Sequence, residues 1–179
     1  QSVIEYHERT KHLPNRPASS SGYLDWANEP NPFRSYEGAN TLKLPFANTN
    51  QGANYSDLFE RKNNRFQTFS LANVALLLEL SMGLSAWKSY SGTSWALRIN
   101  PSSGNLHPTE THLVLPPLQE NNNSGGVFHY NPLLHVLESR AEFDEQFWRK
   151  IREYFDQDGF LIGLTSIYWR ESWKYGERA

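Results

Sequence analysis

Residues 98–110 read RINPSSGNLHPTE and run straight into the apolar THLVLPP of residues 111–117. An arginine leads, and two prolines enclose two serines, Gly104, Asn105 and His107. Proline presets the backbone, glycine admits left-handed conformations, and Ser and Asn bond their own backbone, so the run bends the chain. Backbone N–H groups in such a turn can point at a carbonyl or a ring nitrogen, and Gly104 permits close approach. Asn105 donates and accepts at once. The same residues also fit an ordinary connection between a helix and a strand, and by themselves they leave both readings open.

Outward from this run, Thr111–Leu115 and Val127–Asn131 read as strands, separated by the polar loop PPLQENNNSGG, and His135–Ser139 adds a third in an antiparallel meander. On the other side, Ser70 caps a helix whose stripe is Leu71, Val74, Leu77, Leu78 and Met82, with Gly83 as its stop. The stripe predicts a buried helix. Residues 85–97 read as a Ser-, Trp- and Gly-rich connection. Phe143, Phe147, Ile151 and Phe155 recur every four residues, which predicts an amphipathic helix over 143–155, supported by Glu145 four residues before Arg149. Asp158-Gly159 ends it, and the continuous apolar run 160–168 predicts a buried strand.

Residues 1–55 hold Pro14, Pro17, Pro30, Pro32 and Pro45 among scattered aromatics. They predict an extended segment with short turns that wraps over a neighbouring surface, helical only in SVIEYHERTK. Residues 56–179 hold the periodic elements. Mixed helices and antiparallel strands make this an α+β chain, a sandwich of sheet and helices. The chain ends in SWKYGERA, amid aromatic and charged residues, which reads as a stop inside a larger protein.

The 179 residues suffice for one domain with a real core. A net charge of −2 gives no bulk attraction to nucleic acid or to an anionic membrane. FLIGLTSIYW is too short to span a bilayer, and no signal segment opens the chain. The sequons at Asn54 and Asn122 therefore read as chance matches. The absence of cysteine excludes disulfides, thiolate metal sites and a cysteine nucleophile, and fits a reducing, cytoplasmic setting. The six histidines match no helical pair or common zinc spacing, so no metal is expected. No Gly-x-Ser-x-Gly elbow, P-loop or Gly-x-Gly-x-x-Gly run is present.

Two further stretches can carry chemistry. In Glu60-Arg61-Lys62-Asn63-Asn64-Arg65, Arg61, Asn63 and Arg65 share one face of an extended chain, and arginine forks match phosphate oxygens. The stretch equally fits a solvated basic turn. In Trp173-Lys174-Tyr175-Gly176, Lys and Tyr are donors and possible proton carriers, or an amphipathic rim whose polar tips reach water.

Taken in order, ERKNNRF, a buried helix, RINPSSGNLHPTETHLVL, GVFHYNPLLHVLESR and SIYWRESWKYGERA resemble the nitroreductase-fold flavoproteins. Within them the chain is similar to the SagB-type dehydrogenase branch, related to oxidases that turn azolines into azoles in peptide natural products. The similarity runs from about Asp57 to the end. The leading YHERTKHLPNRP and GYLDWANEPNPFRSYEGA resemble the start of longer members that carry two nitroreductase-like halves.

The resemblance implies a nitroreductase-like fold, an antiparallel sheet flanked by helices, incomplete in this chain. It implies an FMN-dependent oxidoreductase passing hydride through flavin N5. Arg61, Asn63 and Arg65 would contact FMN, with Asn63 standing where the family usually has serine. Arg98, Pro101, Ser102, Ser103 and Asn105 would form the loop against the isoalloxazine ring. Lys174 and Tyr175 match the pair proposed to act in azoline oxidation. The implied partners are a small-molecule or peptide substrate and a second nitroreductase unit, in a homodimer or within one chain. The alternative is a flavin-free half acting as scaffold or peptide-binding module.

Overall fold

The computed structural model describes residues 2–47, 56, 59, 69–155 and 159–179. Arg61, Asn63 and Arg65, and Asp158 at the end expected for the second helix, lie outside the described residues. The chain forms two compact units. The first comprises Gln1–Arg34, Pro101–Glu110 and Leu164–Ala179, and the second Ser35–Asn100 and Thr111–Gly163.

In the second unit, helix α2 (Leu71–Met82) starts where the sequence predicts, with the Ser70 hydroxyl accepting from the Asn73 N–H at 3.2 Å. Gly83 ends it at φ −72°, so a left-handed residue is not what stops this helix. Glycine is needed there because a Cβ would stand 2.6 Å from the Glu79 carbonyl oxygen. Leu71, Val74, Ala75 and Leu78 are buried, whereas Leu77, expected inside, is 44% exposed. The helix is apolar on more faces than its own unit covers.

Strands β4 (Thr109–Leu118), β5 (Ser124–Asn131) and β6 (Val136–Phe143) form the expected antiparallel meander. β4 and β5 are longer than their apolar cores suggest, because a 3-10 turn at Gln119–Asn121 and left-handed Asn122 and Asn123 close the connection tightly. The short β1 (Thr41–Lys43) pairs with β6, and with β7 (Leu161–Ser166) the order is β1-β6-β5-β4-β7. Leu113, Leu115, Phe128, Tyr130 and Leu137 from the sheet pack with Val74, Ala75 and Leu78 of α2 into one core.

Two of the expected elements take another form. Residues 85–97 are not a connection but a hairpin, β2 (Leu84–Tyr90) and β3 (Thr93–Arg98). Ser91 and Gly92 take φ of 47° and 82°, the doubly left-handed turn whose twist suits a two-residue hairpin. Its apolar residues fall side by side, as Ala86-Trp87 and Trp95-Ala96-Leu97, so no period of two announces the strands. The run 160–168 is not a buried strand: β7 (Leu161–Ser166) stops early, lies at the sheet edge next to β4, and exposes all six residues. The last segment forms helix α4 (Tyr168–Tyr175).

Helix α3 (Glu145–Arg152) is shorter than its phenylalanine stripe, because Phe143 belongs to β6 and Asp144 caps the helix through the Phe147 N–H at 2.8 Å. Trp148 is its buried residue, while Phe147 is 52% exposed. Glu145 and Arg149 do pair, at 3.2 Å. In the first unit, α1 (Val3–Thr10) carries a reciprocal capping box between Ser2 and Glu5.

Burial, reinforced by Glu79 and opposed by Arg98, pushes the Tyr130 phenol above its ordinary value of 10.0. Above that ordinary value the unfolded chain loses a proton that the folded chain keeps. Stability should therefore fall with rising pH at up to about 1.4 kcal/mol per unit. Urea unfolding from about pH 9 to about pH 11 should show this fall, and Tyr130→Phe should flatten it.

Candidate functional site

The RINPSSGNLHPTE stretch from Pro101 to Glu110 belongs to the first unit, as do Lys174 and Tyr175. Its conformation is costly for L-residues: Gly104, Asn105 and His107 have φ of 71°, 60° and 47°. A 3-10 turn at Ser103–Asn105 makes the bend, closed by the Asn105 N–H donating to the Ser102 carbonyl at 3.0 Å. Side chains then brace it. The Ser102 hydroxyl accepts from the His107 N–H at 3.1 Å, and Asn105 Oδ1 meets His107 Nε2 at 2.8 Å.

Helix α4 brings Lys174 and Tyr175 to this bend. Ser103 Oγ and Tyr175 Oη share a hydrogen bond of 2.7 Å. A Cβ on Gly104 would lie 2.9 Å from Lys174 Cδ, Lys174 Nζ and Tyr175 Oη. Gly104 therefore serves two ends: it takes the left-handed turn, and its bare backbone lets both side chains approach. The Tyr175 ring has two cations near it, with Arg178 Cζ 5.5 Å and Lys174 Nζ 6.0 Å from its centroid. Gly176, at φ 58°, ends the helix just after the pair.

The N-terminal segment braces α4. Ser21 Oγ donates to the Lys174 carbonyl at 3.0 Å, Trp173 Nε1 donates to the Asp25 carbonyl at 3.0 Å, and Trp26 packs edge-on against Trp173. Tyr6 and Arg9 of α1 both bond Glu177, and Arg178 donates to His12.

The structure thus brings Pro101, Ser102, Ser103, Asn105, Lys174 and Tyr175 into one unit. Arg98 belongs to the other, at the end of β3, where it is buried and paired in register with Leu84. Sequence reasoning missed Arg170 and Glu110, a buried pair at 2.6 Å, and Glu171, whose carboxylate stands 3.4 Å from Ser102 Oγ. The pattern held no sign of them, because charged residues without an apolar period around them read as solvent-facing. Among the described residues, no group of three or more His, Asp or Glu side chains is placed to hold a metal ion, and no helix is long and apolar enough to cross a membrane.

No family model matches the chain, and no curated protein matches it. Solved structures do. One is the crystal structure of a protein from Anabaena variabilis ATCC 29413 described as a "putative nitroreductase", with a TM-score of 0.70 and 27% identity. The match covers 98% of this chain and 34% of that one, so the chain spans about a third of that protein's length. The fold is nitroreductase-like, a mixed α+β arrangement with an antiparallel sheet flanked by helices.

Replacing Gly104 tests the double demand placed on it. Gly104→Ala should lower unfolding stability by about 1–2 kcal/mol through its left-handed φ. Gly22→Ala, at φ 76° with nothing within 4 Å, should cost a similar amount. Only Gly104→Ala should also shift the Tyr175 ring resonances in NMR spectra. Unmoved resonances would mean that the phenol does not depend on the bare backbone at Gly104.

Proposed function

We propose that the chain contributes to an FMN-dependent oxidoreductase of the SagB-type dehydrogenase kind, acting on a small-molecule or peptide substrate. The observation that carries this reading is the meeting of the Ser102–Asn105 bend with Lys174 and Tyr175. The nitroreductase-like fold supports it at the level of oxidoreductase chemistry.

A flavin ring presents carbonyl oxygens and ring nitrogens along one edge, so its cradle must be rich in donors. The donor set fits. Ser102 and Ser103 offer hydroxyls, Asn105 an amide NH2, Lys174 an ammonium and Tyr175 a phenol, on a backbone bend that glycine keeps open. Bound FMN would supply hydride transfer at N5.

The chain's own residues would do the rest. The bend would orient the ring through fixed donors that need no reorganisation during reaction. Lys174 would hold positive charge where electron density accumulates. Tyr175, bonded to Ser103, would hold or take the substrate proton at Oη, with the serine hydroxyl fixing the direction of that bond. Arg61, Asn63 and Arg65 would contact FMN through its phosphate, and Arg98 would count among the cofactor-binding residues. A second nitroreductase unit, in the same chain or a partner, would complete the pocket.

Asn63 in place of the usual serine favours the alternative of a flavin-free scaffold or peptide-binding half. A fluorescence titration of FMN with the complete gene product separates the two. Under the oxidoreductase reading, binding quenches FMN. Arg61→Ala with Arg65→Ala should then weaken binding by roughly two to four orders of magnitude, as expected for two lost charge-assisted bonds of about 1.5–3 kcal/mol each. Equal affinity in the double variant would remove the phosphate assignment, and no binding by the parent would favour the scaffold.

A further inference from the structure

Helix α4 inverts the usual order of burial. Its aromatics Tyr168 and Trp169 are 74% and 54% exposed, while Arg170 is 3% exposed. A buried guanidinium must have acceptors, because desolvating it otherwise is prohibitive. Arg170 Nη1 donates to the His107 carbonyl at 2.5 Å and to Glu110 Oε1 at 2.6 Å, and Glu110 is itself 2% exposed. The Ile167 N–H donates to the Pro108 carbonyl at 2.8 Å.

These bonds link the start of α4 to the chain just after the bend. One acceptor belongs to His107, whose left-handed φ of 47° persists only if its surroundings hold it. The helix held in this way carries Lys174 one turn further on, and Tyr175 after it.

We propose that Arg170, with Glu110, is a positioning pair. Its guanidinium Nη1 fixes the His107 carbonyl and the strained bend against α4, and so sets the Ser103–Tyr175 hydrogen bond and the place of Lys174 beside Gly104. As a statement about a reactive site this rests on the function proposed above, but the geometric claim does not need flavin. Lysine should replace the arginine only in part, because its ammonium sits on a flexible stem without the rigid, planar guanidinium that holds Nη1 in place.

The test places 3-fluorotyrosine at position 175 of the complete gene product and reads its fluorine resonance without FMN. Ser103→Ala gives the reference shift for a lost hydrogen bond. Arg170→Met and Glu110→Gln should move the resonance towards that reference, and Arg170→Lys should restore part of the parent position. Arg149→Met, on exposed α3, should leave it unmoved. An unmoved resonance in folded Arg170→Met, or a lysine variant no nearer to the parent than methionine, would overturn the proposal. Where circular dichroism shows that Arg170→Met does not fold, Arg170→Lys and Glu110→Gln carry the same test, and unmoved resonances in both overturn it. A shifted resonance in a protein that never binds FMN keeps the pair and rejects the flavin reading. An unshifted one in a protein that binds FMN does the reverse.

Discussion

Two opposite charges, Arg170 and Glu110, sit almost wholly out of water at 2.6 Å from one another. Removing charges from water costs several kcal/mol per ion, and their attraction offsets that only with good geometry and further hydrogen bonds. The further bond here goes to the carbonyl of His107, in a bend where three residues of four have positive φ. A left-handed bend without such a brace would relax towards ordinary turn geometry. The ion pair is thus best understood as a device for shape, because an apolar pair of similar volume can match it in stability. Removing one partner alone should be costly, roughly 3–5 kcal/mol by the usual behaviour of buried pairs.

The first unit is assembled from three separate stretches of sequence, and polar contacts dominate the joints described in it. Serine, glutamate and arginine side chains tie the N-terminal segment and the chain after the bend to α4 and to Glu177 and Arg178 just beyond it. The second unit is built differently. Its sheet and α2 share an apolar core that includes the fully buried Leu113, Leu115 and Leu137. Stability of the first unit should therefore respond to charge and hydrogen-bond changes, and that of the second to side-chain volume.

The sequence announced the elements whose side chains obey simple periods. Ser70 and the apolar residues after it placed α2 to within a residue, and the meander followed from His112-Leu113-Val114-Leu115 and Val127-Phe128-His129-Tyr130. It misled where burial and composition part company. β7 is apolar yet exposed at a sheet edge, and α4 exposes Tyr168 and Trp169 while burying an arginine. The hairpin β2–β3 hid because its apolar residues stand side by side and show no period of two. At the candidate site, the bend and the Lys174-Tyr175 pair were legible as residue types. That Ser103 would meet Tyr175 across 72 positions, or Glu110 meet Arg170 across 60, was not, because only tertiary folding makes such partners neighbours.

The central claim is that the bend at Ser102–Asn105, opposed by Lys174 and Tyr175, serves a flavin. The most direct test is the visible absorption spectrum of the complete gene product after gel filtration, followed by denaturation and identification of any released chromophore. The account predicts a flavin band that travels with the protein and is released as FMN. A colourless protein that stays colourless after incubation with FMN would contradict it.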